Sequence, residues 1–148
     1  DFLTATMNNS NCKGKIRMEF IEMAAHVILR VCGSFENSSI ENSINKDIIR
    51  KTATSAIDLG VTNVLINASE EYNGGSDRFE LCAVLSIWGA FVNISFSNVK
   101  MSEDQAFSIF DTGIDIITHL KYVDDDIATN ALPQVFRTFY NLVNNEKV

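Results

Sequence analysis

Residues 81–99 read LCAVLSIWGAFVNISFSNV and contain no charged side chain. A segment of that length is able to cross a bilayer, which takes about 20 apolar residues. Ser86, Asn93, Ser95, Ser97 and Asn98 lie inside it, however, and each polar group would need a partner in lipid. A helix apolar on nearly every side is also what the centre of a helical bundle requires. The buried-helix reading is preferred, with no membrane span in this chain. It sets the fold class as all-α, a bundle of six to eight helices around one central apolar helix.

Upstream, EEYNGGSD (70–77) is the clearest turn in the chain, with Gly74 and Gly75 reversing direction and Ser76 as helix cap. Before it, a helix starts near Ser39 or Ser43, with Ile44, Ile48, Ala56 and Leu59 on its inner face. Gly60 divides that segment in two. Residues 34–43 (SFENSSIENS) form a polar connection. An earlier helix spans Ile16 to Cys32: Phe20, Met23, Val27 and Val31 share one stripe, Ile21, Ala24 and Ile28 lie beside it, and Gly33 is the C-cap. Residues 1–15 lack apolar periodicity and read as a flexible tail, leaving 16–148 as a single domain.

Downstream, Ser102 followed by Glu103 and Asp104 opens a helix with acids in its first turn. Phe107, Phe110, Ile114 and Ile117 mark its stripe, widened by Ile109, Ile116 and Leu120. Residues 122–131 (YVDDDIATNA) form a polar segment in which Asp124 is the expected cap. Pro133 is expected at the first helical position of the last helix, PQVFRTFYNLVNN (133–145).

At 148 residues the chain is the size of one domain and is long enough to bury a core. Its 46% hydrophobic and 21% charged content is ordinary for a globular chain. With one proline and seven glycines, it lacks the regular turn signals of a β-sandwich. The net charge of −7 repels phosphate backbones and anionic lipid, which argues against nucleic acid and membrane surfaces as partners. Cys12, Cys32 and Cys82 show no metal-ligand spacing and read as reduced thiols, so the expected location is the cytoplasm. Sequons at Asn8, Asn37, Asn67 and Asn93 are read as chance matches in a chain rich in Asn and Ser, and residues 1–17, being polar, are not expected to act as a signal peptide.

No catalytic grouping emerges. His26 and His119 lack metal-type partners and read as solvated or capped helix histidines. Asp124, Asp125 and Asp126 lack the spacing of a calcium loop, and Gly74–Gly75 lacks the Gly-Lys-Ser/Thr of a phosphate loop. The chain is expected to be no enzyme and to carry neither metal nor cofactor. Trp88–Gly89, placed at the start of the central apolar helix, has two readings. A glycine inside a helix costs about 0.5–1 kcal/mol relative to alanine, and close approach of a second backbone is the usual compensation. Alternatively, Trp88 is a core anchor and Gly89 an incidental gap.

Glu80-Leu81, Trp88-Gly89 and Val92 are similar, in register, to the E-L-x6-N-W-G-R-x-V block of the Bcl-2 family of apoptosis regulators. Arg17–Gly33 looks like that family's first helix, Asn45 to Ile49 resembles its Gly-Asp region, and residues 103–122 suit its sixth helix. Phe136, Thr138, Phe139 and Leu142 resemble its W-x-T-F-x-x-L block. The resemblance covers roughly residues 16–143 and looks most like a divergent, viral, pro-survival member. Ile87 and Ala90 replace the family's Asn and Arg, and Lys46 replaces the glycine before Asp47.

The resemblance implies a Bcl-2-like bundle that inhibits apoptosis by sequestering pro-apoptotic BH3 helices in a hydrophobic groove. It reaches the mitochondrial outer membrane through those partners, and a homodimer is allowed. Carried over by residue, Ile49, Ala53 and Ile57 form one wall, Phe79 and Leu81 the other, and Ile87, Gly89, Ala90 and Val92 the base, with Trp88 in the core. With Ala90 in place of arginine, the ligand's aspartate loses its partner, which implies a narrower or weaker ligand set. Two alternatives share the resemblance: a pore-forming effector, and a viral adaptor that binds signalling proteins without a BH3 groove. An unrelated helical-bundle enzyme is the alternative outside it.

Overall fold

A computed structural model describes residues 23, 25, 43–96 and 99–145, apart from the side chains at 43–46, 49 and 145. Those residues form α-helices joined by short turns, with no strand among them. The helices are α1 (Ser43–Asp58), α2 (Val61–Glu70), α3 (Arg78–Phe96), α4 (Glu103–Leu120) and α5 (Asp126–Asn145). Met23 and Ala25 are also helical. The tail at 1–15, His26, Cys12, Cys32 and the remainder of the first expected helix lie outside the described residues.

The helix ends follow local chemistry. Gly60 separates α1 from α2 with φ +76°, a left-handed conformation that costs glycine nothing and other residues about 1 kcal/mol or more. Asp77, one residue beyond the expected Ser76, caps α3: its carboxylate accepts from the backbone N–H groups of Phe79 and Glu80 at 2.9 and 3.1 Å. Ser102 opens α4 as expected, in a reciprocal capping box with Gln105. Asp125, not Asp124, caps α5 by accepting from the N–H of Ile127 at 2.7 Å.

Pro133 lies inside α5 rather than at its start. A proline there removes one intrahelical bond. The carbonyl left without that donor belongs to Thr129, an exposed residue.

Helix α3 is the core element. It packs mainly on α5, while α2 packs mainly on α4 and α4 also meets α5. Leu81, Val84, Ile87, Trp88, Phe91 and Ile94 are each no more than 2% exposed. By length and composition α3 is able to cross a membrane, with mean hydropathy 1.6 over its most apolar window, yet 61% of that window is buried inside the fold.

Several inner faces differ from those expected. On α4 the buried side is Ile109, Thr112, Gly113, Ile116 and Leu120, whereas Phe107 and Ile114 are 65% and 55% exposed. Gly113 explains the choice. A Cβ there would meet the Phe139 ring at 2.5 Å and the Trp88 ring at 3.1 Å, so glycine lets α4 seat against both aromatics. On α1, Ala53 is buried and Ala56 and Ile57 pack against the core, while Ile48 and the following Leu59 face solvent. Ile44 lies outside the described side chains. Met23 is exposed, and Ala25 is the buried neighbour.

The turn before α3 is held by Tyr72, whose hydroxyl donates to the Gly75 carbonyl at 2.8 Å. Half-buried His119 packs edge-on against that ring at 6.1 Å with its Nδ1 buried and unpartnered among the described residues, so that nitrogen is neither solvated nor held in a cap, the two readings expected. Burial, reinforced by the negative charges of Glu80 and Asp125, raises the Tyr72 pKa above 10.0. The folded state therefore holds this proton more tightly than the unfolded chain. Stability is unaffected below pH 10 and falls as pH rises through the folded-state pKa. Urea unfolding from pH 9 to 11 is expected to show that decline in wild type and a shallower one in Tyr72→Phe; parallel curves would refute the assignment.

Candidate functional site

Among the described residues, α3 has one side that is only partly buried. Successive residues turn by about 100°, so positions 82, 85, 89, 92 and 96 fall near one line. Cys82, Leu85, Gly89 and Val92 on that line are half-buried, with Asn93 beside them, and Phe96 at its end is 42% exposed. All other α3 positions from Leu81 to Ser95 are buried. Gly89 sits at the middle of the stripe, where the missing side chain permits the closest approach to the α3 backbone.

Helix α5 borders this side, where the Asn141 side-chain amide donates to the Val92 carbonyl at 3.2 Å. Helix α1 packs on α2 and α2 on α3, while α1 makes no comparable backbone approach to α3 among the described residues. Ile57 near the end of α1 and Phe79 at the start of α3 are half-buried against the core. Phe79, Gly89, Val92 and Ile57 are thus the expected groove residues that keep accessible surface.

The other expected residues are placed differently. Ala53, Leu81 and Ala90 are 0% exposed and Ile87 is 1% exposed, so they belong to the core and line no open groove. The Ile49 side chain lies outside the described residues. Ala90 is turned about 100° from Gly89, and that single step carries it into the interior. Cys82, Leu85 and Phe96 were not among the expected site residues, although their spacing from Gly89 was already readable on a helical projection. What hid them was the absence of charge on any side of the helix.

Trp88 is the anchor that fixes this register, as expected of a core residue. It is 0% exposed, and its indole N–H donates to the Ser69 hydroxyl on α2 at 3.0 Å, also buried. Its ring meets Phe91 edge-on at 5.0 Å. The tryptophan lies in the middle of α3 rather than at the start. Between Asp77 and Trp88 the sequence offers no glycine or proline to interrupt the helix, so it runs unbroken from Arg78. With Trp88 pinned from behind, Gly89 is held on the open side.

A concavity lies between α2 and α4, away from the α3 stripe. It measures about 470 Å³ and is lined by Asn63, Ile66, Asn67, Glu70, Ser108, Asp111 and Thr112. Within it the Thr112 hydroxyl donates to the Glu70 carboxylate at 3.4 Å. No group of three or more His, Cys, Asp or Glu able to hold a metal occurs among the described residues. Comparison with known protein families, with curated proteins and with solved structures finds no match to this chain.

Proposed function

We propose that this chain inhibits apoptosis by binding the BH3 helix of a pro-apoptotic Bcl-2 protein along the half-open side of α3. The observation that carries the reading is the stripe Cys82, Leu85, Gly89, Val92 and Phe96, centred on a glycine and running along an otherwise buried helix. A helix-in-groove ligand presents apolar anchors at i, i+3 or i+4 and i+7, and this stripe repeats at the same intervals. The similarity of Glu80, Leu81, Trp88, Gly89 and Val92 to the Bcl-2 block supplies the identity of the ligand class.

The same register revises the groove. Its base is Gly89 and Val92 with Leu85 and Cys82, and its rim is Ile57 and Phe79. Each ligand leucine or isoleucine buried there contributes about 1.5–3 kcal/mol before ordering costs. Recognition is therefore mainly apolar, because the position that carries arginine in the family is here an enclosed alanine.

Titration of a panel of fluorescent BH3 peptides against the full chain is expected to give saturable binding. Gly89→Glu is expected to reduce affinity at least a hundredfold with the helical signal retained, since it places a charge where the ligand backbone approaches. Leu85→Glu should act in the same direction. Absence of binding to every peptide would overturn the proposal; binding unchanged by both variants would put the groove elsewhere.

A further inference from the structure

Half of the large exposed apolar residues of the described fold lie on α4 and α5. Phe107 and Ile114 on α4 are 65% and 55% exposed. Phe136, Tyr140 and Val143 on α5 are 56%, 71% and 48% exposed. Phe139 joins the two rows, stacking on Phe110 at 4.7 Å and meeting Phe136 edge-on at 6.4 Å. The ring contacts of Phe139 link the two helices, and each exposed row runs about 10 Å along its helix, at 1.5 Å per residue. Large connected apolar surface of this kind marks an interaction site.

Charge selects the occupant. On α4, Asp104, Asp111 and Asp115 are exposed and form a second row beside Phe107 and Ile114, on the side away from α5. Beyond Asp111 lies the polar recess between α2 and α4, where Glu70 adds another carboxylate. The apolar face is thus bordered along one edge by an acidic rail with a polar recess behind it. Two copies of the chain, each with a net charge of −7, repel one another, and so would an anionic bilayer.

We infer that the α4–α5 face docks a cationic amphipathic helix of a partner protein. Its apolar stripe lies over Phe107, Ile114, Phe136 and Tyr140. Its Lys or Arg flank runs along Asp104, Asp111 and Asp115, with one basic head entering the recess beside Glu70. These residues belong to α2, α4 and α5 and none of them is in the α3 stripe, so the inference stands independently of the BH3 reading.

The test uses the full chain and a synthetic amphipathic helix of about five turns, with a leucine stripe and a lysine flank. A second peptide carries glutamate at the lysine positions. Fluorescence anisotropy is expected to show the lysine peptide binding at least tenfold more tightly, with affinity falling as salt is raised. Asp111→Lys combined with Asp115→Lys should weaken it at least tenfold. The same charge reversal at Asp47 and Asp58 on α1 should change it less than threefold. Phe107→Ser, which removes an exposed ring, should weaken it without changing helicity.

Equal binding of the two peptides, no binding, or equal loss on reversing the α1 acids would each overturn the inference. So would a wild-type dimer in sedimentation that Phe136→Ser converts to monomer, or Tyr140-dependent flotation with phosphatidylcholine–phosphatidylserine vesicles. BH3-peptide titration of the Asp111→Lys, Asp115→Lys variant separates the two surfaces, because its affinity should be unchanged.

Discussion

Replacing Trp88 with alanine is expected to lower the unfolding free energy by about 3–5 kcal/mol, the range for a large buried aromatic. Three contributions act together at this side chain. It is fully enclosed, it meets Phe91 edge-on, and its N–H donates to the buried Ser69 hydroxyl. It also helps form the floor on which Gly113 of α4 rests. Trp88→Phe retains much of the apolar volume and removes the donor, so a smaller loss of about 1–3 kcal/mol is expected from leaving Ser69 unsatisfied. Ser69→Ala in a double-mutant cycle with Trp88→Phe isolates the hydrogen bond, and a coupling near zero would show that the contact contributes nothing. Urea midpoints followed by helical signal provide the measurement.

Ala90→Arg is expected to prevent stable folding. Ala90 is 0% exposed, so a guanidinium there enters the packed core without a partner. An uncompensated buried charge costs about 3–5 kcal/mol, and overpacking adds about 1–3 kcal/mol. Gly89→Arg, one residue earlier on the half-open side, is expected to keep the fold and to impair ligand binding alone. The contrast tests the register of α3 directly. A well-folded Ala90→Arg protein with tighter BH3 binding would show that position 90 faces the ligand, and the groove would have to be rebuilt by one step of the helix. The resemblance by itself favours that outcome, since arginine occupies this place in the Bcl-2 block. Burial in this chain opposes it.

The sequence alone determined several helix boundaries, because those events depend on a few neighbouring residues, but it placed the start of α5 at Pro133, seven residues late. Gly60 breaks α1 from α2, Ser102 with Gln105 opens α4, and the Gly74–Gly75 turn precedes α3. The charge-free run likewise marked α3 as the central helix, since no other position in a helical bundle accepts a rod apolar on nearly all sides. Caps were legible to within one residue: Asp77 and Asp125 act where Ser76 and Asp124 were expected, because adjacent polar residues compete for the same orphan N–H groups.

Only the tertiary structure decided which side of each helix faces inward. Apolar residues cover more than half the circumference of α4, and burial driven by the hydrophobic effect has no directional preference to choose among them. Gly113 made the choice by admitting Phe139 and Trp88, which turned Ile109 and Ile116 inward and left Phe107 and Ile114 outside. On α3 the charge-free sequence carried no polar face to mark the open side. The bond from Trp88 to Ser69, a contact between residues of different helices, set that side and separated the accessible Gly89 from the enclosed Ala90.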